Sequence, residues 1–299
     1  MPNETWLRRM IKLNKARGNA PHKPLLLLVI LELAENAEFS GVTLPLTPDL
    51  AFRFNTFFDV VRYRRAAKPD VRLPFHHLST QGFWYPFMKN GDVSTNNTTT
   101  DYVVFDTDFL AACKNSQFRV DARHLLIASH FEPAERNALY HLVGIETPDS
   151  DFASQAAFFV EAEDAENIGR SARFRIDVVS AYNYTCALTG YRVTTLLSGS
   201  IVEAAHIHQF AESRNDDPRN GIALSKNAHW QFDSGLWSID DDYRVIVAKG
   251  AFSEASPLQT PLTDLHGRKL LLPANEALWP SITHLIWHRQ NRFARPDTP

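Results

Sequence analysis

The chain has 299 residues, of which 44% are hydrophobic, 22% are charged and 11% are aromatic, and its formal net charge is −3. A chain of this size and composition can bury more than one core, which predicts a globular protein of two domains. Its longest apolar run, Pro24 to Leu33, contains Glu32 and is too short to cross a bilayer, so we expect no membrane partner.

The two cysteines, Cys113 and Cys186, fall in different predicted domains. They exclude a disulfide framework and a four-cysteine zinc site, and Cys186 is predicted to be a small buried side chain. The first ten residues contain no signal-peptide apolar region. These features favour a cytoplasmic protein.

Basic residues cluster in the first quarter of the chain, although the net charge is negative. Residues 1–25 hold six Lys or Arg side chains against one Glu, and residues 61–72 hold five against one Asp. The two clusters could line one phosphate-binding face. The alternative is that they are solvated helix surfaces, which is common for runs of charge.

The first predicted element is a helix from His22 to Leu33, which is apolar on all sides for two turns and has Pro24 near its start. We expect it to be the buried central helix of an amino-terminal domain. Farther on, Leu73 to Leu78 and Gly82 to Phe87 predict an extended aromatic segment. Such a segment either packs into a core or forms a recognition pocket.

Acidic residues concentrate between Thr147 and Glu166, where no Lys or Arg occurs. We therefore predict a domain at residues 1–150, an acidic linker at 151–170 and a second domain at 171–299. The charge of the linker would keep it away from a polyanionic partner. After the linker, Ser171 to Tyr182 has helical spacing.

Residues 200–233 predict a hairpin, a loop and a helix. A β-branched run predicts a strand that ends near His206, the polar residues 212–220 predict a loop, and residues 222–224 predict a second strand. A helix should follow, with His229 and Asp233 one turn apart on one face. An imidazole and a carboxylate in that arrangement can supply half of a metal site.

Four motifs in this half of the chain occur in the order expected of a phosphodiester-cutting site. They are Cys186-Ala-Leu-Thr-Gly190, Ala205-His206-Ile207, Asn220-Gly221 and the run from His229 to Asp233. This order resembles the HNH, or ββα-metal, endonuclease family, in its branch of predicted restriction enzymes.

The resemblance implies that His206, Asn220 and His229 are catalytic residues and that His229 and Asp233 hold a divalent metal ion. His206 would be the general base that activates water, since a neutral imidazole can take a proton near neutral pH. Asn220 would brace the loop and keep His206 aimed. The ion would be Mg²⁺ or Mn²⁺, with Co²⁺, Ni²⁺ or Zn²⁺ as alternatives for mixed nitrogen and oxygen ligands.

Ala205 departs from the family pattern, because many members carry an Asp or His ligand immediately before the general base. The metal site is therefore expected to be open on that side, with water filling the gap. Glu203 would share the face of Ala205 in a strand and is a candidate additional ligand. His208 is expected at the surface or in a supporting position.

A second resemblance covers about residues 10–130. The run His22-Lys23-Pro24 with four following leucines, then Pro74-Phe75-x-x-Leu78 and Gly82-x-Trp84, is similar to the sulfur-binding domain of phosphorothioate-dependent restriction endonucleases. The resemblance implies that Pro74 receives the sulfur, which is more polarisable and less hydrated than oxygen. The flanking DNA contacts would come from Arg17, His22, Lys23, Leu73 and His77. Core packing is the alternative for Pro74, Phe75 and Trp84.

The expected fold class is α+β, with a mainly helical α/β DNA-reading domain followed by a ββα-metal HNH nuclease domain. The predicted function is cleavage of phosphorothioated double-stranded DNA by a one-metal HNH site, in a restriction system. The alternatives are a restriction endonuclease that reads unmodified sequence or another modification, and a DNA-binding reader with a catalytically weak HNH fold. One HNH site cuts one strand, so a homodimer is the economical route to a double-strand break.

Overall fold

The computed structural model describes residues 2–13, 20–38, 41–61, 68–148, 159–255 and 258–294. Residue contacts divide the chain into a first unit, Met1–Arg173 with Thr195–Gly199, and a second unit, Phe174–Thr194 with Ser200–Pro299. Arg17, parts of both basic clusters and residues 151–158 of the predicted linker lie outside the described residues. Within the described ranges, no helix has the length and apolar character needed to cross a membrane.

The first unit is mainly helical and is built around its second helix. All side chains from Leu25 to Ile30 are fully buried in that helix, which confirms the predicted central helix. Burying each such side chain contributes roughly 1.5–3 kcal/mol. The helices are α1 (Pro2–Ile11), α2 (His22–Glu35), α3 (Pro48–Val60), α4 (Arg72–His77), α5 (Thr107–Lys114), α6 (Ser116–His130) and α7 (Pro133–Val143).

A three-stranded antiparallel sheet completes the first unit. Its strands are β1 (Thr43–Pro45), β2 (Trp84–Phe87) and β3 (Tyr102–Phe105), in the order β1-β3-β2. The fully buried indole of Trp84 donates a 2.6 Å hydrogen bond to the carbonyl oxygen of Phe75, whose ring it meets edge-on. Phe75 and Trp84 are therefore core residues.

The sequence predicted an extended segment from Leu73 to Leu78. This prediction is wrong, because residues 72–77 form the helix α4. The Asp70 carboxylate accepts a hydrogen bond from the backbone nitrogen of Arg72 at the start of this helix. Pro74 occupies the first turn, where its missing N–H would have no helical partner. Only the later part of the aromatic segment, at β2, is a strand.

A long helix, α8 (Phe159–Ala181), covers residues 159–170 of the predicted linker and continues past them. At Gly169, an added Cβ would lie 2.3 Å from the carbonyl oxygen of Ala138 in α7. Glycine therefore permits close packing of α8 on α7 within the first unit. The division between the units falls inside this helix, after Arg173.

The second unit contains the predicted hairpin, loop and helix. Two short strands, β4 (Thr194–Thr195) and β5 (Gly199–Ser200), lie where the sequence passes from one unit to the other. In the second unit, β6 (Val202–His206) and β7 (Gly221–Ser225) pair antiparallel, with His206 opposite Gly221, and α9 (Phe210–Ser213) lies in the loop between them. Helix α10 (Lys226–Asp233) follows β7 without a break, and the remaining elements are β8 (Trp237–Ile239), β9 (Val245–Val247) and α11 (Ile282–Asn291).

The core of the second unit packs α10, β8 and α11 together. Phe232 stacks on the imidazole of His288, with ring centroids 3.7 Å apart and planes at 4°. The ring nitrogens of His288 lie 2.8 Å from the Ser238 hydroxyl and 3.2 Å from the Phe232 carbonyl oxygen. Burial lowers the pKa of His288 to about 4. Cys186 is fully buried in this unit, as predicted.

Candidate active site

His206 stands at the end of β6 with its ring held against a helix. The imidazole stacks on Phe174 of α8 with ring centroids 3.9 Å apart and planes at 7°. Gly221, opposite His206 in the hairpin, makes room for that contact. A Cβ at Gly221 would lie 2.9 Å from Cζ of Phe174 and 2.3 Å from Cγ2 of Val178. Glycine at this position therefore lets Phe174 pack beneath His206.

The Nε2 atom of His206 lies 3.0 Å from Oδ1 of Asp216, and the His206 side chain is 22% exposed. Burial lowers the pKa of His206, and the hydrogen bond and charge of Asp216 oppose that effect without overcoming it. The charges of His229 and Asp233 also act on the ring. The net direction favours the neutral imidazole, which is the form that can accept a proton.

Asn220 is fully buried and connects the two ends of the loop between β6 and β7. Its Oδ1 accepts a hydrogen bond of 2.8 Å from the backbone nitrogen of His208. Its Nδ2 donates to the carbonyl oxygens of His208, at 2.9 Å, and Asn215, at 3.0 Å. These hydrogen bonds therefore hold the loop at Asn215, the residue immediately before Asp216.

His229 and Asp233 face each other along α10, with Nε2 of His229 3.3 Å from Oδ2 of Asp233. Adjacent corners of an octahedron with ~2.1 Å metal–ligand bonds are ~3 Å apart, so this pair fits two neighbouring ligands of one ion. The other ring nitrogen, Nδ1, lies 3.3 Å from Oε2 of Glu203. A carboxylate on the second nitrogen is the usual support of a metal-binding histidine.

Glu203, expected as a candidate extra ligand, thus lies at the opposite ring edge of His229 from Asp233. Ala205 is fully buried in the core of the unit and offers no ligand atom. Over the described part of the chain, no group of three or more His, Cys, Asp or Glu side chains is arranged to hold a metal ion. The protein would supply two ligands, leaving other coordination positions to water and substrate oxygens.

The sequence patterns did not single out Asp216 or Phe174, the two residues that contact His206. Asp216 was one of several turn-forming residues, and Phe174 belonged to a helix defined only by its spacing. The pairing of β6 with β7 is the signal that could have found Asp216, because it folds the loop back toward His206. His208 was expected at the surface or in a supporting position, and its ring stacks on Trp287 with ring centroids 3.9 Å apart.

Two of the predicted DNA contacts lie at the start of α2. The Nε2 atom of His22 is 2.9 Å from the carbonyl oxygen of Lys68. Lys23 donates from Nζ to the hydroxyl of Thr80 at 3.3 Å, and burial lowers the pKa of Lys23. Arg17, predicted beside them, lies outside the described residues.

The other predicted contacts lie on α4. Leu73 is 38% exposed and His77 is also exposed, one turn later on the same face. Pro74, the predicted sulfur-contacting residue, is buried in the same helix. The structure therefore presents Leu73 and His77 to solvent and covers Pro74.

Comparison with known proteins assigns the second unit's hairpin and helix to a family. Residues 186–240 match the model of the HNH endonuclease family. This segment is an HNH endonuclease domain. The HNH domain contains all four predicted catalytic and metal-binding residues: His206, Asn220, His229 and Asp233.

No curated protein matches the chain. Among solved structures, the chain is similar to one described as a modification dependent TagI restriction endonuclease, with 21% sequence identity and a TM-score of 0.31. The similarity covers 43% of this chain and 39% of that one, so the chain spans well under half the length of that enzyme.

Proposed function

We propose that this chain is a metal-dependent DNA endonuclease in which the HNH domain hydrolyses phosphodiester bonds. The observation that carries the proposal is the pairing of His229 and Asp233, 3.3 Å apart on α10, within electrostatic reach of a neutral His206. A general base and a metal-binding pair are the two parts that phosphodiester hydrolysis needs. Both occur within the segment that matches the family model.

In this reaction His206 removes a proton from water, and the resulting hydroxide attacks the phosphorus while the bond to the departing oxygen breaks. Burial keeps His206 neutral and ready for this step. A divalent cation held by His229 and Asp233 would stabilise the charge on the phosphate and on the departing oxygen. Mg²⁺ and Mn²⁺ are the proposed ions, and the mixed ligands also admit Co²⁺, Ni²⁺ and Zn²⁺.

We propose that the substrate is double-stranded DNA that carries a phosphorothioate, read by the first unit and cut as part of a cytoplasmic restriction system. The support is the sequence similarity to sulfur-binding domains and the exposed pair of Leu73 and His77 on α4. An apolar side chain beside an imidazole can favour a weakly hydrated sulfur over a phosphate oxygen. A homodimer would bring two HNH sites to the two strands.

A second candidate function is cleavage of unmodified DNA or of DNA with another modification. The burial of Pro74 favours this candidate, because a proline ring contacts sulfur only where it is exposed. The HNH domain would act in the same way in both cases. A third candidate, a reader with a weak HNH site, is favoured by the buried Ala205, which adds no metal ligand.

The test compares cleavage and binding of matched phosphorothioate and ordinary duplexes with Mg²⁺ or Mn²⁺ at a fixed salt concentration. The variants are His206→Ala, Pro74→Ala, His77→Ala and, as a control for loss of an exposed imidazole with no proposed role, His266→Ala. We expect cutting of the modified duplex alone, lost in His206→Ala with binding retained. Equal cutting of both duplexes would reject sulfur recognition, and sulfur-dependent binding without cutting would identify a reader.

A further inference from the structure

The carboxylate of Asp216 lies within hydrogen-bonding distance of one ring nitrogen of His206. Oδ1 of Asp216 lies 3.0 Å from Nε2 of His206, and both side chains are largely covered. The ring cannot turn freely, since one face stacks on Phe174 at 3.9 Å and Phe210 lies at 5.6 Å. The contact between carboxylate and imidazole is therefore built into the fold of the HNH domain.

A carboxylate at this distance determines where a neutral imidazole carries its hydrogen. An ionised carboxylate can only accept hydrogen bonds, so the hydrogen of the ring lies on Nε2 and points to Asp216. Nδ1 then has a free lone pair. The two nitrogens of a histidine are distinguished in this way by the partner that one of them has.

We propose that Asp216 is a positioning residue that holds His206 as its Nε2–H tautomer, so that Nδ1 takes the proton from water. This proposal rests on the proposed nuclease function. The water O–H bond breaks and its proton moves to Nδ1. The hydroxide forms the new bond to phosphorus while the bond from phosphorus to the departing oxygen breaks, leaving that oxygen at the end of the cut strand. His206 becomes a cation with an N–H on both nitrogens, which the neighbouring carboxylate stabilises. Asp216 stays ionised throughout.

The loop holds Asp216 in place from both sides. Asn215, before it, accepts a hydrogen bond on its carbonyl oxygen from Nδ2 of Asn220. Asp217, after it, donates its backbone N–H to Oδ1 of Asn215 at 2.8 Å. The buried amide of Asn220 therefore helps to position the Asp216 carboxylate, and Asp216 in turn positions His206.

The first experiment detects the tautomer without any use of activity. Nitrogen and carbon chemical shifts of labelled histidines in the full chain distinguish Nε2–H from Nδ1–H at alkaline pH, with the His206 signals assigned from His206→Gln. We expect the Nε2–H form in the wild type. Asp216→Asn should weaken that preference, because the amide of Asn can also donate a hydrogen bond.

The second experiment measures cleavage of a duplex by the same proteins with Mn²⁺. Asp216→Asn should lower kcat by about 10- to 100-fold with little change in KM, an effect of the size found for carboxylates that orient metal-binding histidines. Asp216→Glu should recover part of the loss. Asp242→Asn, which removes an exposed carboxylate elsewhere in the unit, is the charge-matched control. Circular dichroism would verify that each variant is folded.

An Nδ1–H tautomer in the wild type would overturn the proposal even if the enzyme cuts DNA. So would an Asp216→Asn variant that keeps both the tautomer and the rate of the wild type. An Asp216-dependent Nε2–H tautomer in a protein that does not cut DNA would support the structural assignment and reject the proposed nuclease function. The two ideas can therefore fail separately.

Discussion

Oε2 of Glu203 lies 3.3 Å from Nδ1 of His229, on the ring edge opposite the contact with Asp233. One imidazole is thus held between two carboxylates, one from β6 and one from its own helix. Glu203 also lies 3.6 Å from the Nζ atom of Lys226. This arrangement fixes the plane of the His229 ring.

We predict that Glu203→Gln weakens Mn²⁺ binding by about 10- to 100-fold, because carboxylates that support a metal-binding histidine have effects of this size. Calorimetric titration of the folded variant with Mn²⁺ would measure the change. Glu276→Gln, at an exposed glutamate of the same unit, should bind Mn²⁺ as the wild type does. Unchanged affinity in Glu203→Gln would show that the charge of Glu203 does not support metal binding by His229.

We predict that cleavage persists to lower pH than an ordinary histidine base would allow. Burial lowers the pKa of His206, so the ring stays neutral below the ordinary histidine value of about 6.5. Activity should fall only when the pH drops through that lowered pKa. The acid limb of kcat/KM against pH measures it, since that limb reports the base of the free enzyme.

Asp216→Asn should move this acid limb to still lower pH, although the variant is slower. The reason is that the charge of Asp216 raises the pKa of His206 and so offsets part of the lowering caused by burial. Without that charge, the pKa should fall further. An acid limb at or above about 6.5 in the wild type would contradict the lowered pKa of His206. A shift of the limb to higher pH in Asp216→Asn would contradict the role of its charge.

We predict that the second unit loses stability as the pH falls from about 6.5 toward 4, because burial lowers the pKa of His288 to about 4. Over that interval the unfolded chain binds a proton on His288 that the folded unit excludes. His288 makes its full contribution to the free energy of unfolding above the pKa that it has in the unfolded chain. Acidification removes this contribution, which amounts to about 3 kcal/mol. Urea unfolding at several pH values would measure it.

His288→Gln should be less stable at neutral pH and should show a shallower fall in stability with acid. The matched control is His266→Gln, which removes an exposed histidine of the same unit. A wild-type slope equal to that of His288→Gln would show that the buried ring does not control the acid dependence.

We predict that Gly221→Ala lowers both stability and activity. The added Cβ would lie 2.3 Å from Val178 and 2.9 Å from Phe174, so the ring beneath His206 must move. Overpacking of this kind costs about 1 to 3 kcal/mol. Urea unfolding and cleavage rates would measure the two effects. Gly41→Ala, which meets only one atom at 4.0 Å, is the control and should be close to neutral.

The sequence predicted the HNH hairpin and helix because their geometry is local. A strand, a closed loop and a helical turn bring His206, His229 and Asp233 into the required order. The contacts of His206 could not be predicted in the same way, since Asp216 depends on the path of a loop. Phe174 depends on the packing of a helix whose position no local pattern encodes.

The first unit shows where local patterns mislead. The buried α2 was predicted because a helix that is apolar on all sides has to be in a core. The segment around Pro74 was predicted to be extended because proline and aromatic residues favour breaks and strands. A proline in the first turn loses no helical hydrogen bond, however, so the same residues begin α4.

The hydrogen bonds of Asn220 also protect this residue from deamidation. Asn followed by Gly is the dipeptide in which the next backbone nitrogen most readily attacks the side-chain amide, converting Asn to Asp. In this fold both atoms of the Asn220 amide are engaged and the side chain is fully buried, so attack requires the loop to open. Deamidation would replace two donated hydrogen bonds by a buried carboxylate facing two carbonyl oxygens. The rate at which Asn220 deamidates in stored protein, measured by mass spectrometry, would therefore report how often this loop opens.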